Sequence, residues 1–512
     1  MDCGEIARKL VERSPGLVAV VYEERQLTAA GLLERSIRLV NALRERGIEP
    51  GDRVATLGVN ALRSVEEIVA LAMGGYVRVP LHQGNSPERH HHMISHSGAR
   101  ALILDDVCQD ELGGGDLRST GLPCILVDDG LGGDYERALD AASSVDPRVR
   151  LLPGDPCQIG YTGGTTGLPK GAIQSQRSWL DVTVENLLLM GEAGTEPDVY
   201  LAAGPMTGAA GAYVFSALAA GMKIVVAPNR TAATAARLAH EHRATVMLAL
   251  TPLIEELAES PDIRAESFGT IRRVISSSAP LRSRTIRAFA DRFGPILTFA
   301  YGQSECLPIS ALTPDLLRRG LADEPELLQS AGRATLRSRI VVVDAAGQEL
   351  PRGEIGEIAA DAAGSLIAYW ADPEATATKF TADGLVRTGD LGRLRDDGIL
   401  FLADRSEDVL VVSGEQVYPS SLEDALSDHP DVLEVVVIGD ADPELGQMPR
   451  AVVTLRADTQ TDARRLAAWW SAESRLSQLP LRVQISDDPL PRTPAGKLSR
   501  ALVRALAANS RP

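Results

Sequence analysis

No stretch of the 512-residue chain runs to the ~18 uninterrupted apolar residues that a membrane span requires, so no membrane partner is expected. The start, MDCGEIARKLVERSPG, lacks the apolar core of a secretory signal, which predicts a cytoplasmic protein. Positive charge is also short. Fifty-two Lys and Arg stand against 69 Asp and Glu, and the formal charge of -17 repels polyanions, which argues against a nucleic-acid partner and requires any phosphate site to be built locally. Cysteine is sparse and scattered. Cys3, Cys108, Cys124, Cys157 and Cys306 are odd in number and form no C-x-x-C pair, which indicates neither a disulfide framework nor a zinc site and leaves reduced, structural thiols as the expectation. Internal repeats and low-complexity tails are missing too. What remains is an ordinary globular composition, 44% hydrophobic and 24% charged, in a chain too long for one compact domain.

The patterning predicts an α/β fold. Short apolar runs such as RVATLGV (53 to 59), ALILDD (101 to 106), KIVVAP (223 to 228) and RRVISSS (272 to 278) alternate with helix-like stretches such as AATAARLAHEHRA. That alternation predicts a large N-terminal domain of βαβ units in parallel sheets. After GEIGEIAAD (353 to 361), strand-like segments separated by the turn signals DDG (396 to 398) and SGEQ (413 to 416) predict a small β-structure subdomain. The last hundred residues change again. VLEVVVIGD, RAVVTLRA and LRVQISD read as strands, DARRLAAWWSAESRL and GKLSRALVRALAA as helices, together a small α+β module whose boundary is expected near LADRSED, residues 402 to 408.

Residues 161 to 172, YTGGTTGLPKGA, crowd four glycines, three threonines and a lysine into twelve positions. The segment fails the pattern G-x-x-x-x-G-K-[ST]: Pro169 stands where the second glycine should, and Gly171 follows Lys170 in place of Ser or Thr. It is therefore not the phosphate loop of the common nucleotide triphosphatases. Small residues still leave backbone N–H groups open to an anion, the threonines add hydroxyl donors, and Lys170 adds a point charge. On composition alone an anion grip and a mobile surface loop are both open.

The same stretch resembles the signature YTSGTTGxPKG of the adenylate-forming superfamily, which includes acyl- and aryl-CoA synthetases, luciferases and the adenylation domains of peptide synthetases. Three further segments match that family in order: YGQSE (301 to 305), RTGDLGRLRDDGILFLADRSEDVLVVSGEQVYP (387 to 419) and PRTPAGKLSR (491 to 500). The resemblance implies that a carboxylate attacks the α-phosphorus of ATP, pyrophosphate leaves, and the acyl group passes to a thiol. It also implies roles residue by residue. Thr162, Gly163, Gly164, Thr165, Thr166 and Lys170 would cradle the β- and γ-phosphates, with Thr166 and Lys170 acting in catalysis. Glu305 would hold Mg²⁺, a hard cation suited to carboxylate and phosphate oxygens. Ala279, Pro280, Tyr301, Gly302 and Ser304 would surround adenine and the α-phosphate. Asp390 would accept from the ribose hydroxyls and Arg405 would donate to ribose or phosphate. Lys497 would bridge the attacking carboxylate and the α-phosphate. The small domain would turn on a hinge at 404–408, pivoting at Glu407, between a large domain of residues 1–403 and a mobile C-terminal domain of residues 409–512.

The acid pocket departs from the family pattern. In GPMTGAAGAYVF, Met206 is followed by Gly208 where an aromatic or histidine commonly gates the pocket. Gly208 and Gly211 either let a ligand approach the backbone or let two elements pack closely. SSSAP (276 to 280) puts Ser276 and Ser278 where glycines are usual, predicting a polar or small pocket. His92 and His96 in HHHMISH have the one-turn spacing of a metal pair, but a surface helix face is the expectation. Gly414, in SGEQVYP, stands where the thiol tunnel of the family passes. The resemblance therefore implies a ligase using ATP, Mg²⁺ and CoA on a small organic acid. The alternatives are a carrier-protein thiol as acceptor, nitrite activated for diazotisation of an aryl amine, or a nucleotide-binding protein without turnover.

Overall fold

The structure, a computed structural model, describes residues 2–114, 121–122, 124–128, 133–161, 168–191, 198–277, 281–457, 459–492 and 498–509. The chain divides into two compact units, Met1–Ile340 with Ala360–Val386, and Val341–Ala359 with Arg387–Pro512.

The larger unit holds two sheets. In the first, the strands Cys124–Asp128, Ala101–Asp105, Arg53–Leu57, Val77–Pro80 and Pro156–Tyr161 lie in that order and parallel, and Gly171–Ser175 closes one edge antiparallel. Ala101–Asp105 is buried at all five positions, the continuous apolar reading of a strand covered on both faces. The helix Leu62–Gly74 is buried on every side. Its charges are satisfied by pairing: Arg63 Nε donates to Asp128 at 2.9 Å and reaches Glu67 one turn on, while Arg35 binds Glu66.

The second sheet runs in the order Gly332–Ala334, Cys306–Leu312, Leu297–Gln303, Arg273–Ser276, Val246–Leu248, Val199–Ala202, Lys223–Val226, Val18–Tyr22, Arg25–Thr28. It is parallel in its middle and antiparallel at both ends. The expected α/β alternation is thus the observed architecture. All five cysteines are free and buried, as structural thiols should be.

The smaller unit carries the strands Arg339–Val343, Gly356–Asp361, Val386–Leu394 and Ile399–Arg405, which neighbour one another in that order, followed by the α+β module. There the strand Val432–Asp442 pairs with Gly446–Leu455, which also takes Arg482–Ile485 in parallel. The period-2 alternation of VLEVVVIGD divides its side chains cleanly. Val435 and Val437 join Leu422, Leu466 and Trp470 on one face; Val436 and Ile438 join Leu490, Val503 and Ala507 on the other.

At the head of the helix Arg500–Asn509, Arg500 is held by three carboxylates: Asp404 at 2.9 Å, Asp408 at 3.3 Å and Glu423 at 2.7 Å. Arg504 adds a second cation on Asp408 at 2.7 Å. Removing Arg500 leaves three facing carboxylates with too few partners. Arg500→Met should therefore destabilise this module by about 3–5 kcal/mol in urea unfolding followed by the fluorescence of Trp469 and Trp470, with Arg500→Lys recovering part of the loss. An unchanged midpoint would remove the cluster from the account of stability.

Candidate active site

The Gly/Thr-rich segment joins two strands. Pro156–Tyr161 and Gly171–Ser175 are antiparallel partners with Tyr161 opposite Gly171, so the local architecture is a hairpin rather than the strand-to-helix turn of the triphosphatase loop. Thr162, Gly163, Gly164, Thr165 and Thr166 lie outside the described residues. Lys170, on the outgoing side, is half exposed. Its Nζ stands 4.0 Å from an Asp372 carboxylate oxygen and 5.5 Å from the centre of the Tyr369 ring. That neighbourhood is made by backbone pairing: Trp370 N donates to Gly171 O, Ile173 N to Ala368 O, and Ile367 N to Ile173 O, at 2.7 to 2.9 Å.

Glu305 sits in the tight turn between Leu297–Gln303 and Cys306–Leu312, where Gln303 and Cys306 face each other. Its carboxylate is buried. Tyr369 donates its hydroxyl to Glu305 Oε1 at 2.8 Å, and Lys379 Nζ lies 4.0 Å from the same oxygen. Burial and then the Glu305 charge push the Tyr369 phenol well above its ordinary range, so it remains a donor. Lys170, Tyr369, Glu305 and Lys379 thus form a continuous row of cation, ring, anion and cation. Gly302 permits the turn, since a side chain there would press on Cys306 O and Leu307 at about 3.1 Å. Tyr301 is buried on the same strand, and Ser304 accepts a hydrogen bond from Gln174 through its carbonyl at 3.4 Å. Ser278, Ala279 and Pro280 lie outside the described residues. Ser276, before them, is fully buried at the end of its parallel strand, and its Oγ has no hydrogen-bond partner among the described residues.

Sequence reasoning passed over Tyr369, Asp372 and Lys379. They lie in AYWADPEATATK, whose only local signal is the N-cap Asp372 followed by Pro373 at the start of the helix Pro373–Lys379. It also passed over Arg78 and His82, although an arginine inside the apolar strand VRVP is a visible anomaly.

Arg78 is buried. It donates to Met206 O at 3.3 Å and Gln158 Oε1 at 3.4 Å, and its Nε is buried without a partner among the described residues. His82 Nδ1 meets Thr207 Oγ1 at 3.2 Å. Burial, then the Arg78 and His90 charges, bring the His82 pKa down to about 4, so it is neutral at pH 7. Met206 is buried and donates its N–H to Asn60 Oδ1 at 2.9 Å. The two glycines now separate. A Cβ on Gly211 would overlap the Met206 carbonyl oxygen, which makes Gly211 a close-packing residue, whereas one on Gly208 would meet His82 Cε1 at 3.5 Å and Pro205 at 3.8 Å, both ordinary contacts.

In the smaller unit, Asp390 and Arg405 are register partners on antiparallel strands, and Arg405 Nε lies 2.6 Å from Asp390 Oδ1. The two residues expected at the ribose therefore orient each other. Glu407 is exposed just beyond. Gly414 has φ +86° in the turn between Leu410–Val412 and Glu415–Val417, with open space where a side chain would be. Lys497 lies outside the described residues; on either side of its segment Arg492 and Leu498 form an antiparallel bridge.

Gly211→Ala should cost about 1–3 kcal/mol of stability by overpacking, while Gly208→Ala should leave the unfolding midpoint unchanged. Equal unfolding midpoints for the two variants would sink this distinction.

Among the described residues no helix is long and apolar enough to cross a membrane, and no three His, Cys, Asp or Glu side chains cluster as a metal site. Residues 7–370 match the family model of the AMP-binding enzyme, and residues 421–497 that of the AMP-binding enzyme C-terminal domain. The chain is 29% identical to the fatty acid–[acyl-carrier-protein] ligase of Streptomyces coeruleorubidus, over 96% of this chain and 94% of that one. It is equally 29% identical to the feruloyl-CoA synthase of an Amycolatopsis species, over 96% of both. Among solved structures it superposes on ATP-bound MatB from Rhodopseudomonas palustris with a TM-score of 0.89 at 26% identity, covering 99% of each chain. The amide bond synthetase McbA from Marinactinospora thermotolerans gives 0.86 at 28%, covering 98% of this chain and 99% of that one. With both modules matched and the four motifs in order, the chain belongs to the AMP-binding enzyme family of adenylate-forming ligases.

Proposed function

We propose that the protein activates a small organic acid, acyl or aryl, as its adenylate and passes the acyl group to the thiol of CoA. The observation that carries this reading is the row of Lys170, Tyr369, Glu305 and Lys379, a buried carboxylate between two cations beside the Gly/Thr-rich segment. In the first step a carboxylate oxygen bonds to the α-phosphorus of ATP while the bond from that phosphorus to the bridging oxygen breaks, and pyrophosphate leaves with the charge. Two anions must approach, so positioning and charge stabilisation carry most of the acceleration. Lys170 and the threonines and glycines of 162–166 would receive the leaving pyrophosphate. Asp390 and Arg405 would fix the nucleoside, and Lys497 would bridge acid and α-phosphate.

Glu305 fits a magnesium site of the type completed by substrate phosphates, since such a site takes one or two protein carboxylates and Glu305 is a buried one. Bound there, Mg²⁺ would neutralise phosphate charge. Tyr369 and Lys379 hold the carboxylate ready for it. The polar side chains of Arg78, His82 and Thr207 beside Gly208 favour a short acid with a polar substituent over a long alkyl chain.

For the second step the reading assigns residues 1–403 to one body and 409–512 to the other, with 404–408 as the hinge and Glu407 as its pivot. The family resemblance supports CoA as acceptor. The similarity to a carrier-protein ligase and to an amide bond synthetase favours a second reading, in which the acceptor is a carrier-protein thiol or an amine, and nitrite in place of a carboxylate remains within that second reading.

Pyrophosphate release, measured with ATP, Mg²⁺ and a panel of short, aryl and dicarboxylic acids and nitrite, with and without CoA, tests these readings. Acid-dependent release that accelerates with CoA is expected; no release with any acid would overturn the function. Lys497→Ala should lower adenylation roughly a hundred-fold or more while sparing thioester formation from supplied acyl-adenylate. Glu407→Pro should impair the thioester step alone.

A further inference from the structure

The helix Pro87–Ser97, PERHHHMISHS, carries more histidine than its expected role as a surface face needs. It is rigidly placed. Ser86 caps its start, Pro87 occupies the first turn, and Gly98 ends it in the left-handed conformation. His90 is fully buried, its Nδ1 3.0 Å from Glu111 O and its Nε2 3.0 Å from His82 O, so that whichever nitrogen carries the proton has a main-chain carbonyl to receive it. The helix cannot turn about its axis without breaking that contact.

From that fixed helix His92 and His96, one turn apart, reach the two sides of the Gly/Thr-rich segment. His96 Nδ1 lies 2.8 Å from the Tyr161 hydroxyl, on the incoming strand. His92 Nε2 lies 3.1 Å from Pro169 O, the carbonyl immediately before Lys170. A carbonyl only accepts, so this nitrogen carries the proton. The imidazoles stack on each other at 5.1 Å, and the Tyr161 ring presents its edge to both. A third strut closes the array: Trp370 Nε1 donates to His96 O at 3.0 Å, and Trp370 is bonded to Gly171, just after Lys170. One helical turn thus grips the chain at Tyr161, at Pro169 and, through Trp370, at Gly171.

We propose that His92 and His96 are a positioning pair that fixes Lys170 for ATP, and that protonation of His96 weakens ATP binding. The inference rests on the reading that Lys170 receives the ATP phosphates. Neither imidazole touches the reacting atoms; each acts through the backbone that presents the lysine. The groups facing the pair are the Tyr161 hydroxyl, 2.8 Å from His96, and the Asp372 carboxylate. Burial and then the neighbouring His92 hold His96 below its ordinary 6.5, with Asp372 opposing, so His96 is neutral at pH 7. Protonation makes both His96 ring nitrogens donors, so Nδ1 can no longer accept from the Tyr161 hydroxyl. Affinity is therefore full above that titration and falls as pH drops through it.

Titration calorimetry of Mg-ATP binding to the full chain tests this without knowledge of the acid. His92→Leu and His96→Leu should each weaken ATP about ten-fold, the loss of one such bond. His92→Gln and His96→Gln, which keep a side-chain donor or acceptor, should recover most of it. Wild-type affinity should hold down to about pH 6.5 and fall below it, and His96→Gln should flatten that fall. Lys170→Ala separates the two levels. If it binds ATP as the wild type does, the assignment of Lys170 is wrong. If it binds weakly while both leucine variants bind normally, the positioning role is wrong. Should the leucine variants fail to fold, an unchanged pH slope in His96→Gln overturns the inference by itself.

Discussion

A buried carboxylate has to find donors inside the protein, because leaving it alone in a low-dielectric interior costs several kcal/mol. Glu305 finds them in Tyr369 and Lys379, and much of the larger unit serves to bring those three together. The hairpin of Leu297–Gln303 and Cys306–Leu312 turns at Glu305, while residues 367–370 join the edge strand Gly171–Ser175. The edge strand of the first sheet therefore follows the lysine that suits a phosphate, and a hairpin of the second sheet holds the anion that suits a metal. Residues 366–370 join the two, Leu366 N donating to Glu305 O at 2.8 Å and Trp370 N to Gly171 O at 2.7 Å.

The smaller unit meets the same problem with the signs reversed. Arg500 collects Asp404, Asp408 and Glu423, and Arg405 is steadied by Asp390. Asp404 and Asp408 stand on either side of the proposed pivot at Glu407. Arg500 thus ties the chain on both sides of that position to the head of the last helix, together with Glu423.

Much of this was readable in the sequence, for a physical reason. Alternating apolar runs and helices declare a parallel sheet because both faces must be covered, whereas the composition of the Gly/Thr/Lys segment left an anion grip and a surface loop both open. Roles that depend on distant segments meeting were not readable. Tyr369 and Lys379 matter only because chain 60 to 75 positions away turns at Glu305. The HHHMISH run suggested a solvated face, since its spacing says nothing about Tyr161 and Pro169 lying against it. Gly208 and Gly211 looked alike until the Met206 carbonyl distinguished them. Arg78 was a visible irregularity in an apolar strand whose meaning awaited Met206 and Gln158.

The lysines flanking the Tyr369–Glu305 pair have one more consequence. The chain contains only five lysines, Lys9, Lys170, Lys223, Lys379 and Lys497, and arginine carries nearly all the remaining cationic surface. A guanidinium is a poor nucleophile at neutral pH, whereas a lysine amine reacts once it sheds its proton. Chemistry directed at amines, whether a laboratory acylating reagent or an activated acyl group released in the cell, therefore meets few targets on this protein, and three of the five, Lys170, Lys379 and Lys497, are candidate site residues. To amine-directed chemistry the molecule is nearly blank except where it is expected to work.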